Sequence, residues 1–166
     1  MTPIAYGFRT GPRAELNTRG LDTTTDMLGE IGDRAEDMRP AMLVVRELLI
    51  AGNKKVFSSQ GGAIGTPWPG LASSTIARKA RSGIPSLSGV MVETGDLQES
   101  LSGGKGARSR VTRSMVSAGT SLFYAVFHMA GSRGGKVPAR PPIGIPEAER
   151  QESLTIMERY LLRGAA

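Results

Sequence analysis

The stretch "LGEIGDRAEDMRPAMLVVRELL", Leu28 to Leu49, decides the fold class. Its apolar residues Leu28, Ile31, Ala35, Met38, Met42, Val45 and Leu49 recur at alternating steps of three and four, which draws one apolar stripe down a helix. Asp22 or one of Thr23 to Thr25 is the expected start cap, and Gly52-Asn53 the expected left-handed stop. Pro40 removes a backbone hydrogen bond inside the pattern, so it kinks the helix or splits it in two. The stripe suits either a coiled-coil seam or the cover of a sheet. Gly29, Gly32 and Pro40 argue for packing on the domain's own sheet.

The strand signals lie further along the chain. "RVTRSMVSAGT", Arg110 to Thr120, is β-branched and small, and supplies one long or two short strands. Val90 to Glu93 also reads as a strand, after which Thr94 caps a short helix carrying Leu97 and Leu101. "SSTIARKARSG" reads as a basic helix capped by Ser73 or Ser74 and ended at Gly83, and "LFYAVFHMAG" as an aromatic helix ended at Gly131. A last helix follows Pro146, with Glu147, Glu149 and Glu152 at its positive start, Arg159 and Arg163 at its end, and Leu154, Met157 and Leu161 on its buried face. The expected class is α+β: a small antiparallel sheet against a long N-terminal helix and a C-terminal helix, with long Gly/Pro-rich loops.

Two segments lie outside this regular scheme. From Phe57 to Leu71, four glycines and two prolines surround Trp68, the only tryptophan, and make a loop longer than most. From Lys136 to Pro146, "KVPARPPIGIP" places four prolines among eleven residues and forms an extended strap excluded from any central strand. Val137, Ile143 and Ile145 give the strap apolar side chains to bury, so it serves as a rigid connector or as a docking strap.

A chain of 166 residues fits one domain, 1–166, with 1–21 as a flexible N-terminal arm. It contains no cysteine, which removes disulfides, thiolate zinc sites and cysteine nucleophiles together and fits folding in a reducing cytoplasm. The longest apolar run, Ala41 to Val45, is far short of the ~20 residues of a membrane span, and the N-terminus lacks the pattern of a signal peptide. The net charge of +6 favours polyanions or acidic protein surfaces.

Chemistry finds few residues to use. His128 is the single histidine, and without an oriented carboxylate it reads as structural, beside Tyr124 and the glycine turn that follows. "LSGGKG", Leu101 to Gly106, has no accompanying phosphate-binding loop and serves as a helix exit. Lys105, Arg108, Arg110 and Arg113, with Arg78, Lys79 and Arg81, could grip phosphates, but no aromatic residues interleave them and no sequence-reading DNA motif is present. The expectation is a non-enzyme without cofactor or metal; non-specific DNA binding is the alternative.

Taken in order, "GTPWPGL" into "STIARK", "VMVETGDLQESL", "AGT" before "FYAVFHMAG", and "VPARPPIGI" resemble the tail-completion or virion-morphogenesis proteins of tailed phages over roughly Val56 to Pro146. Trp68, Leu71, Thr75 and Lys79 match the first motif, and Thr94, Gly95, Leu97, Ser100 and Leu101 the second. Gly119, Thr120, Tyr124, Ala125, His128 and Gly131 match the third, and Pro138, Ala139, Arg140, Pro141 and Gly144 the fourth. Ala72 stands where the family has a serine, which moves the expected cap to Ser73, and Pro142 replaces an aromatic.

The resemblance implies a virion protein of the head-to-tail junction, a ring subunit, taken as a hexamer, that closes or tops the tail tube. Its implied partners are copies of itself, head-completion or connector proteins, a tail terminator or tail-tube protein, and genome DNA passing through the ring, with no membrane. Assembly in the host cytoplasm is implied as well. The residues singled out for subunit contact or for shaping the motif are Trp68, Leu71, Thr94, Gly95, Tyr124, His128, Pro138, Arg140 and Pro141.

Overall fold

Pro40 divides the apolar stripe in two. In the computed structural model, which describes residues 19–83, 89–132 and 134–163, helix α1 spans Arg19–Glu36 and helix α2 spans Arg39–Ser58, with Pro40 in the first turn of α2. There its missing N–H costs nothing, because the first-turn donors have no intrahelical acceptor. Asp37 accepts the Arg39 backbone N–H at 3.1 Å and also binds the Arg39 guanidinium, which holds its carboxyl down at about 2. The junction is tied on two sides: Met38 N–H donates to the Arg113 carbonyl at 3.0 Å, and the Tyr160 hydroxyl to the Asp37 carbonyl at 2.8 Å.

The remaining elements are α3 (Ser73–Arg81), α4 (Asp96–Leu101), strands β1 (Ala107–Val111) and β2 (Val116–Thr120), α5 (Ala125–Ala130) and α6 (Glu147–Arg163). The two strands form one antiparallel hairpin, with Ala107 opposite Thr120 and Val111 opposite Val116. The fold is α+β as its sequence implies, and two short strands were one of the two forms expected for this region. Helix α2 packs on the hairpin, on α4 and on α6, whereas α1 meets α6.

The stripe therefore does not cover the sheet along its whole length. Only the α2 half does so. In α1, Leu21, Met27 and Leu28 are 60%, 59% and 63% exposed, and the helix is held near its end where Arg34 donates to the Leu161 carbonyl at 3.0 Å. The helix also starts earlier than expected, at Arg19, so residues 19–21 of the expected arm are helical; residues 1–18 lie outside the described residues. Thr24 and Thr25 do not cap it but return their hydroxyls to the Gly20 and Leu21 carbonyls from inside the helix.

Gly52-Asn53 does not stop α2. Both residues are buried inside it, because a Cβ on Gly52 would lie 3.0 Å from Pro146 Cδ and because Asn53 donates to the Leu101 carbonyl at 3.3 Å. Close approach of the strap and a buried polar tie, rather than a turn, explain this pair. Val90 to Glu93 is not a strand either. Gly89 (φ +75°) and Met91 (φ +63°) turn the backbone, and the Lys79 ammonium donates to the Gly89 and Val92 carbonyls at 3.3 and 2.8 Å, in place of a partner strand. Val90 nonetheless joins the core formed by Val56, Phe57, Trp68, Leu97, Leu101 and Ala125.

Helix α6 buries a more polar face than its sequence suggests. Leu154 is 48% exposed and Met157 and Leu161 are half-buried, whereas Glu149 and Ser153 are buried. Glu149 is 3% exposed and pairs with Lys55 of α2, which holds its carboxyl below the usual carboxylate range, while its Oε2 has no partner among the described residues. A carboxylate depressed by folding contributes stability above its unfolded pKa and loses it as pH falls through the folded value. Lys55→Ala leaves that charge buried and unpaired. We expect a loss of about 2 kcal/mol at neutral pH, less than for a fully buried pair because the Lys55 side chain is 60% exposed, with acid unfolding starting at higher pH. Urea titrations at stepped pH check both; an unchanged acid limb would show that the pair carries no linkage.

Candidate functional site: the tryptophan clasp and its cleft

The tryptophan loop and the proline strap are remote in sequence and interlocked in space. After α2 the chain turns through Gln60 and Gly61 into a short 3₁₀ turn, Gly62–Ile64, and then runs extended to α3. Gly61 is required here: its φ is +83°, and a Cβ would lie 2.1 Å from the Thr66 carbonyl oxygen and 2.5 Å from Trp68 Cδ1. The turn delivers the Trp68 ring edge-on to Phe57, with centroids 5.3 Å apart, and leaves it 7% exposed.

Two side chains then exchange hydrogen bonds with the opposite segment. The Trp68 indole N–H donates to the Pro141 carbonyl at 3.0 Å. In the other direction the Arg140 guanidinium donates through Nε to the Pro69 carbonyl at 2.8 Å and through Nη2 to the Gly70 carbonyl at 2.7 Å. Arg140 is 8% exposed, and burial pushes its pKa down from the ordinary arginine value. Its backbone N–H donates to the His128 carbonyl at 2.7 Å, which ties α5 into the same clasp. Proline geometry pre-sets the strap, so these bonds order few additional degrees of freedom.

Pro142, in the position where an aromatic was expected, is among the most buried side chains of the protein, so a proline ring fills that space, with Ile143 packed against the core beside it. At the near end of the strap, the Ser132 N–H donates to the Val137 carbonyl at 2.9 Å. Gly131 must be glycine for this approach, since at φ +73° its Cβ would lie 2.8 Å from that same carbonyl oxygen.

In front of the clasp lies an open cleft of about 850 Å³. Of the nine residues singled out from the sequence, Leu71, Thr94, Gly95, Tyr124, His128, Pro138 and Arg140 line it. Trp68 and Pro141 are bonded to each other in the clasp. Four separate motifs thus converge on one place. Thr94 does not cap α4 directly: Gly95 occupies the N-cap at φ +89°, and the Thr94 hydroxyl donates to the Asp96 carboxylate at 2.7 Å. Likewise Ala72, not Ser73 or Ser74, occupies the N-cap of α3, without a side-chain bond.

Tyr124 stacks edge-on against His128 at 6.3 Å, the neighbour expected for that histidine. Burial, and then the Arg140 charge, lower the His128 pKa, and its Nδ1 has no partner among the described residues. Arg78 and Glu93 close one rim with a two-point ion pair at 2.8 and 3.1 Å, which lowers the Glu93 pKa and raises that of Arg78.

Lys79 is the residue whose role the sequence did not disclose. It stands in a basic helix, where the expectation is a solvated face, yet it is 3% exposed and anchors the 89–92 turn. The only signal for it was its place in the first matched motif. Three donors of this region, the Trp68 indole, the Arg140 guanidinium and the Lys79 ammonium, all terminate on backbone carbonyls. Such an arrangement fixes irregular backbone in shape. The chain belongs to the phage virion morphogenesis family, whose sequence profile matches residues 20–162. Comparison with curated proteins and with solved structures gave no match. A role in building the phage virion follows from the family.

Proposed function

We propose that the chain is a tail-completion or tail-terminator-like ring subunit of the head-to-tail junction, required to join tail to head. The observation that carries this reading is the strap: it is held extended by its own prolines and by the clasp, with Val137 40% and Ile145 50% exposed along it. A pre-extended segment docks with less entropy left to lose, which suits contact between rigid bodies. Copies of the chain, a head-side connector and a tail-tube or terminator protein are the partners this role requires. In a closed ring each subunit presents one surface to a different surface of its neighbour.

Withholding the chain during infection tests the role. We expect filled heads and finished tails to accumulate separately, and addition of purified protein to the mixed extract to restore joined particles. Joined particles formed in its absence, or defective tail tubes without free finished tails, would rule out the junction role.

A further inference from the structure

Charge is divided unevenly along the chain. From Lys105 to Arg140 there are seven cations and no aspartate or glutamate, although the whole chain carries 15 acidic residues. Among the described residues six ion pairs, from Arg34–Glu30 to Arg150–Glu147, neutralise cations elsewhere, and none of them involves this stretch. Arg140 is committed to the clasp. Arg113 lies close enough to Asp37 to help hold that carboxyl down, and the Lys105 backbone N–H donates to the Glu99 carboxylate at 3.3 Å. Arg108 and Arg110, both exposed on β1, have no such carboxylate beside them among the described residues.

These two arginines share one side of the hairpin. The register sets Arg108 opposite Gly119 and Arg110 opposite Ser117, and strand alternation sends Ala107, Ser109 and Val111, with their partners Thr120, Ala118 and Val116, to the other side. That other side is the inner one: the Thr120 hydroxyl is bonded to the buried Ser100 of α4 at 2.7 Å, and Val111, Val116 and Ala118 are half-buried. The arginine side faces outward. Gly119 stands on it for no reason internal to the fold, because a Cβ there would meet nothing within 4 Å and its φ is not positive. A glycine inside a strand weakens it and marks a place where a ligand or another backbone comes close.

We propose that the outer face of the hairpin seats the sugar-phosphate backbone of duplex DNA, with Arg108 and Arg110 on phosphates and the open strip at Gly119 and Ser117 letting the nucleic-acid backbone lie against β2. Residues two apart on a strand are separated by about 6.8 Å, the axial rise of about two phosphates along one strand of the duplex. The face holds no apolar or aromatic side chain, whereas a protein partner needs such anchors at the centre of its contact, and a single strand needs rings on which to stack its bases. The inference deepens the junction reading and rests on it only for which duplex arrives, the genome crossing the joint. Contacts to phosphate alone read no sequence and let DNA slide, and weak sites repeated around a ring add together.

Fluorescence anisotropy of a labelled random duplex of about 24 base pairs, titrated with purified protein between about 50 and 200 mM salt, tests the face. Arg108→Gln/Arg110→Gln should weaken binding about tenfold at the low-salt end and make the slope of log affinity against log salt shallower by about 1.8, the share of two phosphates. Gly119→Leu keeps every charge; it should retain the unfolding midpoint and weaken binding about fivefold by holding the phosphates away. Arg46→Gln/Arg150→Gln removes the same charge from ion-paired sites and should leave affinity and slope unchanged. Absence of binding at about 10⁻⁴ M protein in low salt, or a wild-type slope in the hairpin double variant, would overturn the proposal. So would Gly119→Leu binding like the wild type, equal losses in the Arg46/Arg150 control, or tighter binding of a single strand of the same length. Polyglutamate bound more tightly than duplex at equal charge would overturn it too, and would give the face to an acidic protein. The two readings fail separately: heads and tails that join without the chain remove the junction role and leave duplex binding standing, and a protein that restores joining without binding duplex does the reverse.

Discussion

Trp68→Ala is expected to destabilise the protein by about 3–5 kcal/mol, the cost of deleting a buried indole whose surroundings cannot collapse. Collapse is prevented on two sides. Phe57 stands edge-on to the ring within the core, and Gly61 and Thr66 form a turn whose backbone is already in contact with it. The hydrogen bond adds a second loss, since the Pro141 carbonyl is left without its donor. Trp68→Phe keeps a six-membered aromatic ring but deletes the N–H with the rest of the five-membered ring, so its expected cost of about 1–2 kcal/mol combines the lost bond with a small cavity. Equilibrium unfolding in urea checks both values. Equal costs for the two variants would mean that packing contributes little and that the bond to the strap carries the effect.

The second large effect is expected at Arg140. Arg140→Ala removes a buried charged donor from two backbone carbonyls of the tryptophan loop, at about 3 kcal/mol, and Arg140→Lys recovers part of this because an ammonium reaches one carbonyl well but cannot span both in one plane. The guanidinium is satisfied inside its own chain, by Pro69 and Gly70. The first readout of Arg140→Lys is therefore a lower unfolding midpoint, with any fall in joined particles following from a loosened strap. Unfolding curves and particle yields measured on the same variants check the order. Normal stability combined with normal yield for Arg140→Ala would show that the clasp fixes nothing that assembly needs.

How much of this was legible depends on the range over which each residue acts. The helices and the class followed from local periodicity, two short strands were one of the two forms left open by the composition of Arg110 to Thr120, and Pro40 was readable because its effect is confined to its own turn. Gly52-Asn53 misled because a glycine and an asparagine mark a helix stop only when nothing else needs them; here Pro146 needs the missing Cβ and Leu101 needs the amide. Val90 to Glu93 has strand-like composition, but strands form in pairs, and its carbonyls were taken by Lys79 from a different helix. The site residues were legible as motifs, and their meeting in one cleft was not, since partners such as Trp68 and Pro141 stand 73 residues apart.

That separation has a kinetic consequence. The hairpin closes over a few residues and α2 forms locally, while the bonds between the tryptophan loop and the strap, such as Trp68 to Pro141 across 73 residues, return no energy until that long loop shuts. During synthesis the strap emerges long after Trp68, so the aromatic core waits open at one side while the ribosome completes the chain. Bonds that form after the rate-limiting step influence how long a folded molecule lasts more than how fast it appears. The clasp is placed to act in this way, as a latch on lifetime, giving a particle component persistence rather than speed.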